Sequence, residues 1–295
     1  MSTDAHTAEA NHSRYFVPAP SAWPFTLTIA LITTIYGVWG YLEDKHIGAI
    51  PIYVGVALAF WIIFRWFRGV AHESEGGVYN AQVDRTYRWG MTWFIFSEVM
   101  FFGAFFGALF YARNLSMPWL GGEGAKLATN LFIWPGFENV WPSNGPAHLG
   151  GAFETIPPWG VPFLNTLILL SSGVTITLAH HALKDSKRGA CIAWMFATVA
   201  LGASFLWFQA HEYIESYKDL NMTLHSGIYG STFFMLTGFH GMHVTLGTIM
   251  LSMITLRLML GHFKPDSHFG FEGVAWYWHF VDVVWIGLFI FVYVL

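Results

Sequence analysis

The chain has 295 residues, of which 11% are charged, 55% are hydrophobic and 19% are aromatic, and its formal net charge is -4. Soluble domains usually contain about 25% charged residues, so this composition excludes an ordinary soluble domain. The sequence has no basic cluster that would suggest nucleic-acid binding, and we predict no nucleic-acid partner. The single cysteine, Cys191, excludes an internal disulfide and a thiolate-bridged copper pair within the chain.

Seven apolar stretches predict a polytopic membrane protein. Lipid offers no hydrogen-bonding partner to the backbone, so an apolar stretch of about 20 residues must cross the membrane as a helix. The stretches lie near residues 23–42, 48–67, 90–112, 160–182, 191–213, 228–257 and 275–295. We therefore predict an all-α protein with seven transmembrane helices.

The apolar stretches divide the chain into parts of different character. Residues 1–22 form a polar tail without the apolar core of a signal peptide, and this tail is expected in the cytoplasm. A two-helix bundle at 23–67 precedes a charged inner loop at 68–89, and a five-helix bundle occupies 90–295. An external loop at 113–159 is rich in Gly, Pro and Trp, which predicts ordered turns rather than a separate domain.

Pairs of glycines at helix-packing spacing predict close contacts between helices. Small residues three or four positions apart let two helix backbones approach each other in a membrane. The pairs are Gly37 with Gly40, Gly103 with Gly107, and Gly238 with Gly241.

Glu98 lies well inside the third predicted helix. At a rise of 1.5 Å per residue it lies roughly 12 Å above the inner end of its span, and Asp282 lies at a similar depth in the last helix. A carboxylate in this environment is costly and by default indicates function, so we assign Glu98 as a functional buried carboxylate. It is expected either to pair with a histidine or hydroxyl on another helix or to face a cavity. Without a charged partner, a carboxyl group in a low dielectric is expected to keep its proton.

Four further side chains are predicted to be polar partners within the membrane. His240 and His243 share a helix face at i,i+3, and His279 and Asp282 do the same in the last helix. Imidazoles in a membrane are able to bind haem or copper, or to relay protons. No single span presents a full ligand set with supporting partners, so we predict no metal site in this chain.

Other polar residues near helix ends are predicted to be interfacial. His180 and His181 are adjacent and are followed by Lys184, which is typical of an anchor at the membrane surface. Glu212 and Glu215 lie near an outer helix end, and we expect both at the interface.

Four stretches carry a longer and more specific pattern. They contain Ser97-Glu98-Val99-Met100-Phe101-Phe102, Ala179-His180-His181, Gly238-Phe239-His240-Gly241-Met242-His243, and Trp276-Tyr277-Trp278-His279-Phe280-Val281-Asp282. Together they closely resemble subunit III of the haem–copper cytochrome c oxidases in its bacterial seven-helix form, from about Trp23 to the C-terminus. The resemblance implies two helices and five helices that enclose a lipid-filled cleft.

The resemblance also implies a function and a set of partners. The chain is expected to be a non-catalytic subunit of a proton-pumping oxidase that reduces oxygen to water in an aerobic respiratory chain. It is expected to bind subunits I and II, which contain the haems and copper, and to meet cytochrome c only indirectly. Bound phospholipid is expected near Arg68, Glu73 and Arg257, and the subunit is expected to support proton uptake and durability of the active site. The implied location is the bacterial inner membrane.

Three other functions remain as alternatives. Quinol oxidases have a similar third subunit but usually lack the first two helices, so the presence of these helices favours cytochrome c as electron donor. A secondary transporter or proton channel usually has broken helices and charges on several spans. A haem enzyme that acts alone would be recognised by the visible spectrum of the isolated chain.

The distribution of Lys and Arg predicts the orientation. If the N-terminus is cytoplasmic, ten of the fourteen Lys and Arg residues lie in inner segments, and the outer segments hold only Lys45, Arg113, Lys126 and Lys218. The positive-inside rule then predicts a cytoplasmic N-terminus and a periplasmic C-terminus. A reporter enzyme that is active only in the periplasm should therefore be active when fused after Leu295 and inactive when fused after Lys187. A reporter that stays cytoplasmic after Leu295 would contradict this orientation.

Overall fold

The described part of the chain is helical throughout its apolar stretches. The computed structural model describes residues 17, 20–43 and 49–295, so most of the predicted tail at 1–22 lies outside the described residues. Seven long helices have the length and apolarity to cross a membrane, which confirms the prediction of an all-α, multi-pass membrane protein. They are α1 (Trp23–Leu42), α2 (Ala49–Glu75), α3 (Ala81–Tyr111), α4 (Val161–Lys184), α5 (Arg188–Lys218), α6 (Gly227–Leu260) and α7 (Phe269–Leu288).

The charged segment 68–89 contains much more helix than its composition indicated. Helix α2 continues to Glu75 and α3 begins at Ala81, so the connection is confined to residues 76–80. Asn80 begins α3, because its side-chain oxygen accepts hydrogen bonds from the backbone N–H groups of Gln82 and Val83. A span predicted from hydropathy ends at the first charged residues. The helix itself extends further, because its backbone hydrogen bonds continue past them.

The chain forms two compact units that divide between Tyr87 and Arg88. In the first unit, α1 and α2 pack closely through glycine. A Cβ atom at Gly37 would lie 2.5 Å from the backbone nitrogen of Ile52, and one at Gly55 would collide with Thr34. The predicted close packing at Gly37 is therefore confirmed. The lipid-filled cleft implied by the resemblance stays a prediction.

In the second unit, α7 is the most buried of the candidate membrane spans. It packs against α4 and α6, and α5 packs against the same two helices. Two fully buried tryptophans fix its position. The indole N–H of Trp278 donates to Ser172 on α4 at 2.8 Å, and that of Trp285 donates to Thr166 at 2.9 Å. Each indole therefore packs in the core and also satisfies its one polar group.

Helix α3 meets the other helices of this unit through long aromatic side chains. Phe102 is buried, and its ring lies 5.0 Å from that of His243 on α6. Phe94 stacks on Tyr277 of α7, with ring centroids 6.1 Å apart. A Cβ atom added at Gly103 or Gly107 would meet no atom of another described helix within 4 Å. The predicted close helix contact at this glycine pair is therefore wrong within the described chain.

The segment 113–159, predicted to be external, contains turns, as predicted, together with short helical pieces that include an α-helix at Met117–Leu120. The Asn130 side-chain amide ties the segment together by donating to the backbone carbonyls of Leu120 and Phe137. Asn221, which follows α5, donates to the carbonyl of Ala152 at 2.8 Å. The segment is thereby attached to the helix ends by side-chain amides that satisfy backbone carbonyls.

The packing around Trp278 predicts that alanine substitutions at two glycines of α6 have very different effects on stability. A Cβ atom at Gly247 would lie 2.7 Å from the Trp278 ring, whereas one at Gly241 would meet no described atom within 4 Å. Gly247→Ala should lower the free energy of unfolding by about 1–3 kcal/mol through overpacking. Gly241→Ala, the matched control, should be neutral or slightly stabilising. Thermal unfolding of the detergent-solubilised variants measures both effects, and equal unfolding temperatures would contradict the predicted contact.

Candidate functional site

Glu98 pairs with a histidine on another helix. Its Oε2 atom lies 3.1 Å from Nε2 of His243, so the pair connects α3 with α6. The Glu98 side chain is 22% exposed and that of His243 is 6% exposed. The ring of Phe102 packs against the imidazole. Of the two arrangements expected for Glu98, the structure has the histidine pair.

The hydrogen-bond geometry determines how many protons the pair holds. Nδ1 of His243 lies 2.6 Å from the backbone carbonyl oxygen of Phe239. A carbonyl only accepts, so Nδ1 carries a hydrogen. Nε2 then either accepts from a protonated Glu98 or donates, as part of an imidazolium, to the Glu98 carboxylate. One proton lies between the two side chains in both states, and the pair is electrically neutral overall.

His240 lies one turn from His243 but contacts a different helix. It is fully buried, and its Nε2 atom lies 3.2 Å from the backbone carbonyl oxygen of Val281 on α7. Its ring packs against those of Trp285 and Phe205. The i,i+3 spacing that suggested one polar face therefore serves two separate contacts, one with α7 and one with α3.

His279 and Asp282 lie together on α7, as their spacing indicated. The His279 Nδ1 and Asp282 Oδ2 atoms are 3.6 Å apart, which is close for an ion pair but long for a hydrogen bond. Nε2 of His279 lies 3.3 Å from the Thr177 hydroxyl on α4. The Asp282 carboxylate lies directly over Gly173, where a side chain would collide with it. This group connects α7 with α4.

Two of the proposed lipid ligands, Arg68 and Glu73, lie near the C-terminal end of α2 and are exposed. Glu73 Oε2 accepts a hydrogen bond from the Tyr79 hydroxyl at 2.7 Å. Burial raises the pKa of Tyr79, and the neighbouring Tyr87 and Glu73 raise it further. The hydroxyl therefore stays a donor well into the alkaline range, and Glu73 is held against the short connection to α3.

The third proposed lipid ligand, Arg257, lies in the last turn of α6. Its guanidinium carbon lies 4.6 Å from the ring centroid of Phe263, which is within the range of a cation–π contact. Arg188 closes the same helix end by donating to the backbone carbonyls of Leu258 and Met259. Arg188 thus satisfies two of the last backbone carbonyls of α6. Both arginines place positive charge at the end where a helix is partially negative.

Glu212 is buried, and the prediction that it is interfacial is wrong. Only 2% of the residue is exposed. The Tyr293 hydroxyl donates to its Oε1 atom at 2.6 Å. Its position near a helix end suggested the interface, but the helix places Glu212 on its inward face. A tyrosine in the last apolar stretch was the available signal, because a buried hydroxyl requires a partner.

A cluster around Glu272 was also missed. Glu272 lies in the first turn of α7, and Arg88 of α3 contacts its Oε2 atom. His180 of α4 and His268 both face its Oε1 atom, at 3.4 Å and 3.3 Å. His180 therefore turns toward Glu272, a contact that the prediction of an interfacial anchor did not include. The i,i+4 spacing of His268 and Glu272 is the signal that was available in the sequence.

Comparison with known proteins gives a consistent result over nearly the whole chain. The family model described as cytochrome c oxidase subunit III matches residues 12–129 and 135–295. The chain is 42% identical over 276 residues to cytochrome c oxidase subunit 3 of Marchantia polymorpha, covering 93% of each chain. It is 40% identical over 287 residues to the Arabidopsis thaliana protein of the same name, covering 97% of each. It is 38% identical over 292 residues to the one from Danio rerio, covering 98% of each.

The shared proton predicts a selective chemical reaction at Glu98. A membrane-soluble carbodiimide reacts with a protonated carboxyl group, so it should trap the form of the pair in which Glu98 holds the proton. Peptide mapping should find the label at Glu98 but not at Glu212, which is only 2% exposed. Glu98→Gln should abolish the label and still assemble, because the Gln amide donates to Nε2 of His243. Glu212→Gln is the matched control and should leave labelling unchanged. A wild-type chain labelled only elsewhere would contradict an accessible proton at this pair.

Proposed function

The chain belongs to the cytochrome c oxidase subunit III family, and we propose that it is a non-catalytic subunit that supports proton uptake and durability of the oxidase. As a family member it is a multi-pass subunit of a respiratory oxidase. In the proposed complex, electrons from cytochrome c reduce oxygen to water at haem and copper groups in partner subunits I and II. This chain would bind those subunits and contain no redox group of its own.

The contacts of the membrane histidines support a non-redox role. His240 uses Nε2 on the Val281 carbonyl, and His243 uses one nitrogen on the Phe239 carbonyl and the other on Glu98. Haem or copper binding by His243 would require it to give up one of these contacts. The polar groups of the membrane interior are therefore best explained as connections between helices, with Glu98 available for proton exchange.

The proposed role in proton uptake depends on two properties of this chain. The Glu98–His243 pair holds one exchangeable proton at a partly exposed position within the membrane span. In addition, seven helices would exclude lipid, detergent and water from the surface of subunit I that they cover. Carboxylates near a proton entrance respond to such a change in surroundings, because desolvation and nearby charges set their proton affinity.

The proposed role in durability depends on bound phospholipid. Arg68 and Arg257 each present a guanidinium near a helix end, and this group recognises phosphate through two parallel hydrogen bonds. Glu73 is proposed as a third contact of the lipid headgroups. Lipid held in this way would fill the cleft implied by the family and would support the active site of subunit I during turnover.

The proposed setting is a bacterial inner membrane with the N-terminus in the cytoplasm. The ten-to-four distribution of Lys and Arg supports the orientation. The presence of α1 and α2 supports a cytochrome c oxidase rather than a quinol oxidase.

Removal of the subunit from the purified complex tests the proposal. Oxygen consumption at low pH should start at a rate close to that of the intact complex, because the electron path lies elsewhere. Proton uptake should slow most at high pH, where protons are scarce. Activity should then fall progressively with each turnover. Stopped assays on intact, depleted and reconstituted complexes measure all three effects, and reconstitution should restore both uptake and endurance.

Two results would contradict the proposal. An immediate and complete loss of oxygen consumption at low pH would mean that the chain takes part in electron transfer. Equal endurance with and without the subunit would mean that neither the chain nor its lipid protects the active site.

A further inference from the structure

Three potential metal ligands converge where α4 and the start of α7 meet. They are Nε2 of His180, Nε2 of His268 and Oε1 of Glu272, and the three atoms lie within 4.8 Å of one another. The two imidazole nitrogens are 3.2 Å apart, and they lie 3.4 Å and 3.3 Å from the carboxylate oxygen. The ligands come from two segments that are far apart in the sequence.

These three separations match one face of a tetrahedral coordination shell. With ligand bonds of about 2.0–2.1 Å, neighbouring ligand atoms of a tetrahedral zinc ion are about 3.3–3.4 Å apart. Two imidazoles and one carboxylate suit zinc, whereas magnesium and calcium prefer oxygen ligands. Three protein ligands leave a fourth position for water.

A neighbouring contact orients His268 for metal binding. Its Nδ1 atom lies 3.2 Å from the backbone carbonyl oxygen of Lys264, so Nδ1 is the donor. In the neutral ring, the lone pair of Nε2 then faces Oε1 of Glu272, which is also an acceptor. Two facing acceptors repel each other unless a cation, or a hydrogen on the neighbouring Nε2 of His180, lies between them. A hydrogen bond from the second ring nitrogen to a carbonyl is also the usual support of a zinc-bound histidine.

The carboxylate is held in a similar way. Arg88 contacts Oε2 of Glu272, which leaves Oε1 for the two imidazoles. The Arg88 guanidinium is itself placed over the ring of Phe269, 5.4 Å from its centroid. The contact with Arg88 therefore orients the Glu272 carboxylate before any ion arrives. The guanidinium and the carboxylate also balance each other in charge.

We propose that His180, His268 and Glu272 bind a structural zinc ion that fastens the start of α7 to the end of α4. Zinc has no redox chemistry, so the site would hold the helices and would not carry electrons. The side chain of His180 is 22% exposed, which gives an ion access to the site. This proposal departs from the sequence-based prediction of no metal, which considered each span separately.

A matched pair of variants tests the site in the assembled oxidase. His180→Asn removes a ligand, whereas His181→Asn changes the adjacent residue, which is not among the three ligands. After dialysis against zinc chloride, elemental analysis should find about one zinc less per chain in His180→Asn than in wild type. His181→Asn should bind as much zinc as wild type. Equal zinc in the two variants would overturn the proposal, as would wild type that binds no zinc.

Chemical protection tests the same site without a variant, in case His180→Asn fails to assemble. Diethyl pyrocarbonate modifies imidazole nitrogens that are free, and peptide mapping reads each histidine separately. At a zinc concentration ten times the Kd, modification of His180 and His268 should slow about tenfold, because only about one site in eleven is empty. Modification of His181 should not change. Unchanged modification of His180 and His268 would mean that a proton, in place of a metal, lies between these acceptors.

Discussion

A polar side chain buried among transmembrane helices must find its partner on a neighbouring helix, since lipid offers none. The arrangement around α7 follows from this constraint. Its indoles reach hydroxyls on α4, its backbone carbonyl at Val281 receives His240 of α6, and Tyr293, just beyond its end, reaches Glu212 of α5. Each contact joins a different pair of segments, so α7 is fixed in depth and rotation by hydrogen bonds as well as by packing.

Close packing and polar contacts depend on each other at α7. Trp278 fits against α6 only because Gly247 has no side chain, and its indole N–H then reaches Ser172. The Asp282 carboxylate likewise fits over Gly173. Within the described chain, the glycines of helix α3 make no such contacts, and the helix depends on long side chains, including Phe102, Phe106 over Gly287, and the Glu98 pair.

The number and type of helices were predictable, because the length of an apolar stretch directly reflects the thickness of a bilayer. A contact between Glu98 and a histidine or hydroxyl on another helix was one of the two arrangements expected. Its partner was not predictable, because several histidines lay at compatible depths and helix neighbours are a tertiary property. The burial of Glu212 was not predicted, because hydropathy averages over all faces of a helix and does not show which face is turned inward. The Glu272 cluster was missed for a related reason: Arg88 and His180 come from helices far from it in sequence.

The neutrality of the Glu98–His243 pair has a consequence for its response to the membrane potential. Moving a full charge across the membrane involves about 2.3 kcal/mol per 100 mV. A proton that passes between atoms 3.1 Å apart crosses at most about a tenth of a 30 Å hydrocarbon core, or about 0.2 kcal/mol per 100 mV. Exchange within the pair is thus almost independent of voltage, whereas gain or loss of its proton changes the charge inside the membrane by a full unit. Exchange within the pair would therefore respond to local polarity much more than to the energised state of the membrane, whereas uptake or release of its proton would respond to both.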